Sequence, residues 1–297
     1  AATGRGVWRA KTKATLSGGT GSGSGLVVVG SADGEVIALD QGSGSERWRV
    51  RVGGEVLAAP AVAESVVVVR TVDGRLLGLD PASGKELWRV EQQIPRLTLR
   101  GSGKPVIAGN LALCGFDNGR VLAVNVADGE VVWDATVTPA RGRTELERLV
   151  DIDSAIKVSG ADVFVVGYQG RVAMLALDSG QVWWSRELSS HRGLDFDDDT
   201  VFVSTSEGEV VAFRRRTGVE LWRQDAFKRR GLAAPAAVDG YVAVADFQGY
   251  VHWLDVASGA LVARTRAGDR VSNAPQVLGG LLFVLDDDGQ LTAFRPR

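Results

Sequence analysis

Six stretches of this chain are versions of one sentence. VIALDQGSGSERWRV (36–50), LLGLDPASGKELWRV (76–90), VLAVNVADGEVVWDA (121–135), VAMLALDSGQVWWSR (172–186), VVAFRRRTGVELWRQ (210–224) and VHWLDVASGALVART (251–265) share an apolar alternating run, an Asp-like residue, a turn, a glycine, three residues and then tryptophan. Partial copies stand at both ends, TGRGVW (3–8) as the tail of a unit and LTAFRPR (291–297) as the head of one. The motif tryptophans are Trp8, Trp48, Trp88, Trp133, Trp184 and Trp222, with Ala263 in the next equivalent place, so the steps are 40, 40, 45, 51, 38 and 41 residues. A period of that size marks an array whose units bury their apolar faces only by stacking on one another.

Each unit divides into four short strands. In the second, APAVA (59–63) is entered through a proline, SVVVVRT (65–71) is almost wholly β-branched, DG (73–74) supplies a hairpin turn, RLLGLD (75–80) alternates, PASG (81–84) turns again and KELWRV (85–90) closes the unit. Alternation, β-branching and regular turn signals predict an all-β fold. Helix signals are nearly absent; RTELERLV (143–150) holds two turns at most. Four-stranded units repeated around a ring predict a β-propeller, because a ring covers both faces of every sheet and shelters the edge strands. The tryptophans then pack between neighbouring blades. The whole of 1–297 reads as one such domain. Its two ends together make up one shared unit, giving seven; a lost leading blade would make eight.

Composition bounds the function. With 297 residues, 45% hydrophobic, 24% charged and a net charge of −2, the chain has ample material for a core and no general basic surface for nucleic acid. No apolar run approaches the ~18 residues that cross a bilayer as a helix. Cys114, the one cysteine, sits in strand-like LALCGF and reads as a buried thiol. The start, AATGRGVW, reads as the interior of a longer sequence.

Two steps between tryptophans are long. The excess before Trp133 holds IPRLTLRGSGKP (94–105), and the excess before Trp184 holds TPARGRTELERLVDID (138–153). They fall in consecutive units, so their loops neighbour each other, and insertions in repeat scaffolds gather on a binding face. At a period of two, Leu97 and Leu99 point the same way beside Arg100, which makes a small apolar anchor with a charged rim. The competing reading folds both leucines back under the loop. Asp151 and Asp153 are also two apart, so both carboxylates face one side; turn capping or pairing with Arg143 or Arg148 is the plainer account of them. Two carboxylates without further oxygen ligands make a poor metal site.

The run LD-x-x-(S/D)-G-x-x-x-W resembles the quinoprotein-type propeller repeat, shared by quinone-dependent dehydrogenases and by non-enzymatic scaffolds. Taken whole, and most specifically through LTLRG (97–101), ELERLVDID (145–153), SGQVWWSREL (179–188), APAAVDGYVAVADFQGYVHWLD (234–255) and the change to Ala263, the chain is similar to the BamB family. That resemblance implies an eight-bladed propeller, of which about seven blades' worth is present here. It also implies a lipid-anchored lipoprotein at the periplasmic face of the outer membrane. Its role there is as a subunit of the β-barrel assembly machine that binds the POTRA domains of BamA and handles unfolded outer-membrane proteins. Through the resemblance, Leu97, Leu99, Arg100, Asp151 and Asp153 are the partner-binding residues.

A dehydrogenase reading would need a calcium site, a catalytic aspartate and typically adjacent cysteines, and the chain has no such cysteine pair. The acidic runs DFDDDT (195–200) and DDDG (286–289) fall at predicted turns, and His191 and His252 lie in different units. No catalytic residue, cofactor or metal is expected. Two basic runs, RRRTG (214–218) and KRRG (228–231), read as solvated turns or as contacts to anionic headgroups. SGGTGSGSG (17–25) reads as a linker or an irregular first strand.

Overall fold

The computed structural model describes residues 5–95, 97–98, 103–140, 143–144, 149–152, 154 and 156–296. The chain divides into two compact units, 1–156 and 157–297. Among the described residues there is no helix.

The first unit holds three sheets. They are β1 (Leu16–Gly23), β2 (Leu26–Ser31), β3 (Glu35–Asp40) and β4 (Glu46–Arg51); β5 (Ala61–Val62), β6 (Val67–Arg70), β7 (Arg75–Leu79) and β8 (Glu86–Glu91); and β9 (Val106–Ala108), β10 (Leu111–Gly115), β11 (Arg120–Asn125) and β12 (Val131–Thr136). The second holds β13 (Lys157–Ser159), β14 (Asp162–Val166), β15 (Arg171–Ala176) and β16 (Val182–Glu187); β17 (Gly193–Phe196), β18 (Thr200–Ser204), β19 (Val210–Arg214) and β20 (Glu220–Gln224); β21 (Ala236–Val238), β22 (Tyr241–Ala245), β23 (Tyr250–Asp255) and β24 (Leu261–Arg266); and a three-stranded sheet of β25 (Gln276–Leu278), β26 (Leu281–Leu285) and β27 (Leu291–Phe294). Every sheet is an antiparallel meander in chain order. Residues 5–10 form no strand, whereas their place as the tail of a unit predicts one.

Middle strands are buried on both faces, which is why they read as unbroken apolar runs, whereas outer strands bury little besides the tryptophan. Within each unit the cores lie between consecutive sheets. Val36, Val67 and Leu77 share one core, Leu76, Trp88, Cys114 and Leu122 another, and Phe164, Val201 and Phe213 a third.

The glycine and the tryptophan of the motif are two halves of one joint. The Trp48 ring sits on the turn of the following sheet, where its Nε1 donates to Pro81 O at 2.7 Å. A Cβ on Gly84 would lie 2.6 Å from that ring, and Gly84 has φ 73°. Trp8 repeats this on Gly44, Trp88 on Gly129, Trp184 on Gly218 and Trp222 on Gly259. The motif glycine therefore meets two demands, a left-handed backbone and a bare face for an indole. In the six four-stranded sheets the outer strand also carries a one-residue bulge just before the tryptophan, or before Ala263 in β24, as between Gly78 and Leu79 opposite Glu86–Trp88.

The glycine-rich stretch after residue 16 is strand β1. A Cβ at Gly21 would meet Pro60 O at 2.0 Å, and one at Gly23 would meet Val62 O at 2.5 Å. The glycines let β1 press directly on the β5 backbone, so the linker reading is replaced by close packing.

Candidate partner-binding site

Both long connections belong to the first unit. The one after β8 is fastened first. Gln92 N donates to Gly74 O at 2.9 Å, and Asn118 Nδ2 donates to Gln93 O at 3.0 Å, so two different hairpin turns hold its base. Beyond that base Leu97 is 42% exposed, which is not the position of a leucine folded back into a core. Leu99 and Arg100 lie outside the described residues. The far end returns at Gly103, which is buried.

The connection after β12 is drawn inward. Val137 N and Thr138 N both donate to Gly119 O at 3.0 Å, and Ile152 N donates to Phe116 O at 3.3 Å. Leu149, Val150 and Ile152 are buried. The two connections touch, since a Cβ on Gly103 would lie 2.8 Å from Ile152 O and 3.6 Å from Ser154 O.

Asp151 is 0% exposed. The expectation that its carboxylate faces outward beside a second one does not hold for this residue. The reason lies in its neighbours: 149–152 is buried without alternation, because the segment passes over Gly115, where a Cβ would meet Ile152 O at 2.5 Å. Asp153 lies outside the described residues.

A buried charge pair underlies this junction. Arg70, at the end of β6, and Asp117, in the β10–β11 turn, form an ion pair with side-chain exposures of 0% and 1%. The guanidinium carbon stands 5.1 Å from the centroid of the Phe116 ring, and Nη1 lies 3.6 Å from where Gly103 would carry a Cβ. The equivalent places in the other four-stranded sheets are Gly30, Gly115, Val166, Ser204 and Ala245. A long cation thus stands where those sheets carry short, uncharged side chains or none, at the point where the two connections meet. Sequence reasoning passed over Arg70; the signal was an arginine closing the run VVVVR where its repeat partners are short and uncharged.

Turn chemistry accounts for the acidic runs. Asp197 Oδ1 accepts from Asp199 N and Thr200 N at 2.9 and 2.7 Å, and Asp286 Oδ1 accepts from Gln290 N at 2.7 Å. In the motif turns, the Ser43 hydroxyl and then its amide hold the Asp40 carboxyl below its usual pKa, and Ser83 does the same for Asp80. Among the described residues no group of three His, Cys, Asp or Glu could hold a metal ion.

Serial four-stranded sheets, joined by tryptophan on glycine and carrying two set-aside connections, define a β-propeller of quinoprotein-like repeats. The family model described as "Outer membrane protein assembly factor BamB" matches residues 1–224 and 206–297. An assembly factor BamB of Pseudomonas aeruginosa is 44% identical over 208 residues, 70% of this chain and 55% of that protein. One of Xanthomonas campestris is 40% identical over 304 residues, 99% of this chain and 75% of that protein. The chain thus spans little more than half the length of the first of these relatives. The crystal structure of BamB from Moraxella catarrhalis superposes with a TM-score of 0.92 at 32% identity, covering 97% of this chain and 87% of that one. This chain belongs to the BamB family, and its fold is the β-propeller of that family. Quinohaemoprotein alcohol dehydrogenase from Comamonas testosteroni superposes with a TM-score of 0.70 at 13% identity, a likeness of fold alone. Family membership sets the chain with named assembly factors and apart from those enzymes.

Proposed function

We propose that this chain is a non-enzymatic scaffold in outer-membrane protein assembly. It docks the periplasmic POTRA domains of BamA and so assists insertion of outer-membrane proteins. In the native protein it is lipid-anchored at the periplasmic face of the outer membrane. The observation that carries the reading is Leu97, held out to solvent on a connection whose base is fastened to two hairpin turns. An anchor presented from fixed supports loses little freedom on binding, which favours affinity. Leu99 and Arg100 complete an apolar contact with a cationic rim, and Asp153 adds a carboxylate. Asp151 acts from within, as a buried group in the segment that seats the second connection. Unfolded outer-membrane proteins are then clients of the assembly.

The test is capture by immobilised POTRA domains. Leu97→Ala with Leu99→Ala, and separately Arg100→Ala, should each reduce capture while the thermal midpoint stays at the wild-type value. Undiminished capture by both variants, or a loss of capture that merely tracks unfolding, would overturn the reading.

A further inference from the structure

The basic run at 228–231 was left unused by the partner-binding reading. It forms one wall of an open pocket of about 540 Å³ in the second unit. His191 and Arg192 come from the connection between β16 and β17, Ser206 from the β18–β19 turn and Phe247 from the β22–β23 turn. The basic wall is rigidly set. Arg230 N donates to Phe227 O at 3.0 Å, Phe247 N donates to Arg230 O at 3.1 Å, and Arg229 holds a left-handed φ of 67°. A non-glycine residue kept in that region implies surroundings that fix it there.

The charges are unevenly answered. Lys228 is taken up by Glu209 and Asp225 at 3.3 and 3.2 Å, and Arg230 by Asp246 at 2.9 Å. Among the described residues no carboxylate lies within ion-pair distance of Arg192 or Arg229. Arg192 is half-buried, and its pKa is lowered first by burial and then by the like charge of Arg270. Glu207 is the acidic residue on the pocket wall. Donors and apolar surface complete the lining. Ser206 Oγ is 3.2 Å from His191 Nδ1, Leu232 is buried, and Phe247 is 41% exposed.

A half-buried arginine and a second arginine on the same pocket lining, neither within ion-pair distance of an acid among the described residues, leave positive charge that an anion would satisfy. We propose that this pocket binds the phosphate of a phosphomonoester, with Arg192 and Arg229 as its charged ligands, Ser206 and His191 as further donors, and Phe247 against the organic part. A tetrahedral anion can accept from three separate walls at once, whereas a planar carboxylate is satisfied by one guanidinium fork. The volume exceeds what phosphate alone fills and falls in the usual range for small-molecule sites. The pocket lies wholly in the second unit, so this reading stands apart from the docking role of the first.

Calorimetric titration of the full chain with inorganic phosphate should show one saturable site. Arg192→Gln and Arg229→Gln should each weaken it by about tenfold, near 1.4 kcal/mol. Arg216→Gln, in the other basic run, should bind as wild type. Thermal midpoints identify a variant that fails to fold, and Arg229, at an exposed turn position, serves if Arg192→Gln does. Glucose 1-phosphate outcompeting phosphate assigns a soluble ligand. Arg192-dependent flotation with phosphatidylcholine vesicles doped with phosphatidic acid assigns a lipid headgroup. Absence of phosphate binding, binding indifferent to both arginines, or equal weakening by Arg216→Gln overturns the proposal.

Discussion

Trp253 and Ala263 face each other across the β23–β24 pair in the reverse of the arrangement elsewhere. Trp48 lies opposite Ala38, Trp88 opposite Gly78, Trp133 opposite Ala123 and Trp222 opposite Ala212; Trp184, opposite Met174, is the exception to the small partner. At the last full sheet the bulky residue has crossed to the inner strand. There Trp253 Nε1 donates to Thr265 Oγ1 at 3.0 Å and its ring meets Tyr241 and Phe294 edge-on at 6.4 and 6.0 Å.

The exchange predicts coupling. Trp253→Ala alone should cost about 3–5 kcal/mol, as for other large aromatic truncations. Ala263→Trp alone should also destabilise, by crowding Trp253. The double substitution should recover part of the loss, with an interaction of roughly 1–3 kcal/mol in a urea-denaturation cycle. Strict additivity would show that the two sites do not share one volume.

Arg70→Ala should cost about 3–5 kcal/mol, because it strands Asp117 in the interior without its cation. Arg70→Met with Asp117→Leu should restore most of that stability, since it removes both charges and keeps apolar bulk. Limited proteolysis reads the local effect. Cleavage within 93–105 should quicken in Arg70→Ala, as the guanidinium lies against Gly103. An unchanged cleavage pattern would detach this pair from the connection.

Gly84→Ala should destabilise by about 2–4 kcal/mol, combining left-handed backbone strain with intrusion into the Trp48 ring. Gly240→Ala is the control. It has φ 80° with nothing within 4 Å of the added methyl, so only backbone strain of about 1 kcal/mol applies. Equal losses in the two variants would mean that the indole seat adds nothing.

Acid stability should report on Asp246. Burial opposes its ionisation, but hydrogen bonds from His252, the Tyr250 amide, Arg230 and the Gln248 amide outweigh it and set the pKa to about 2. An unfolded aspartate titrates near ~3.9. The folded value is the lower one, so the stabilisation is complete above about pH 4 and drains away as pH falls toward about 2, a difference of roughly 2 kcal/mol. Asp246→Asn should lower the urea midpoint at neutral pH and flatten its decline over that acid window. A decline as steep as wild type would assign the effect to other carboxylates.

Much of this architecture was legible in the sequence because the motif carries its own geometry. The spacing from Gly84 to Trp88 fixes a left-handed turn and an outer strand together, and the Val67–Val69 run announces burial on both faces. What escaped notice depends on partners distant in the chain. Glycine in β1 looks like flexibility until the Pro60 carbonyl is seen where a side chain would go. Asp151 looks like a surface carboxylate by alternation, and alternation fails because the Gly115 surface draws its whole segment inward. The Ala263 change was visible, but its compensation by Trp253 needed the strand register. The oversized connection that carries Leu97 was legible by counting residues, since a surplus over the repeat length requires no knowledge of contacts.

The joint between sheets has a bearing on how such a molecule lengthens. A single stretch of chain holds both the indole that reaches forward and the glycine that receives the indole behind it, four positions apart. Copying that stretch and splicing it in tandem therefore delivers a matched plug and socket in one step, and growth by gene duplication requires no new surface to be invented.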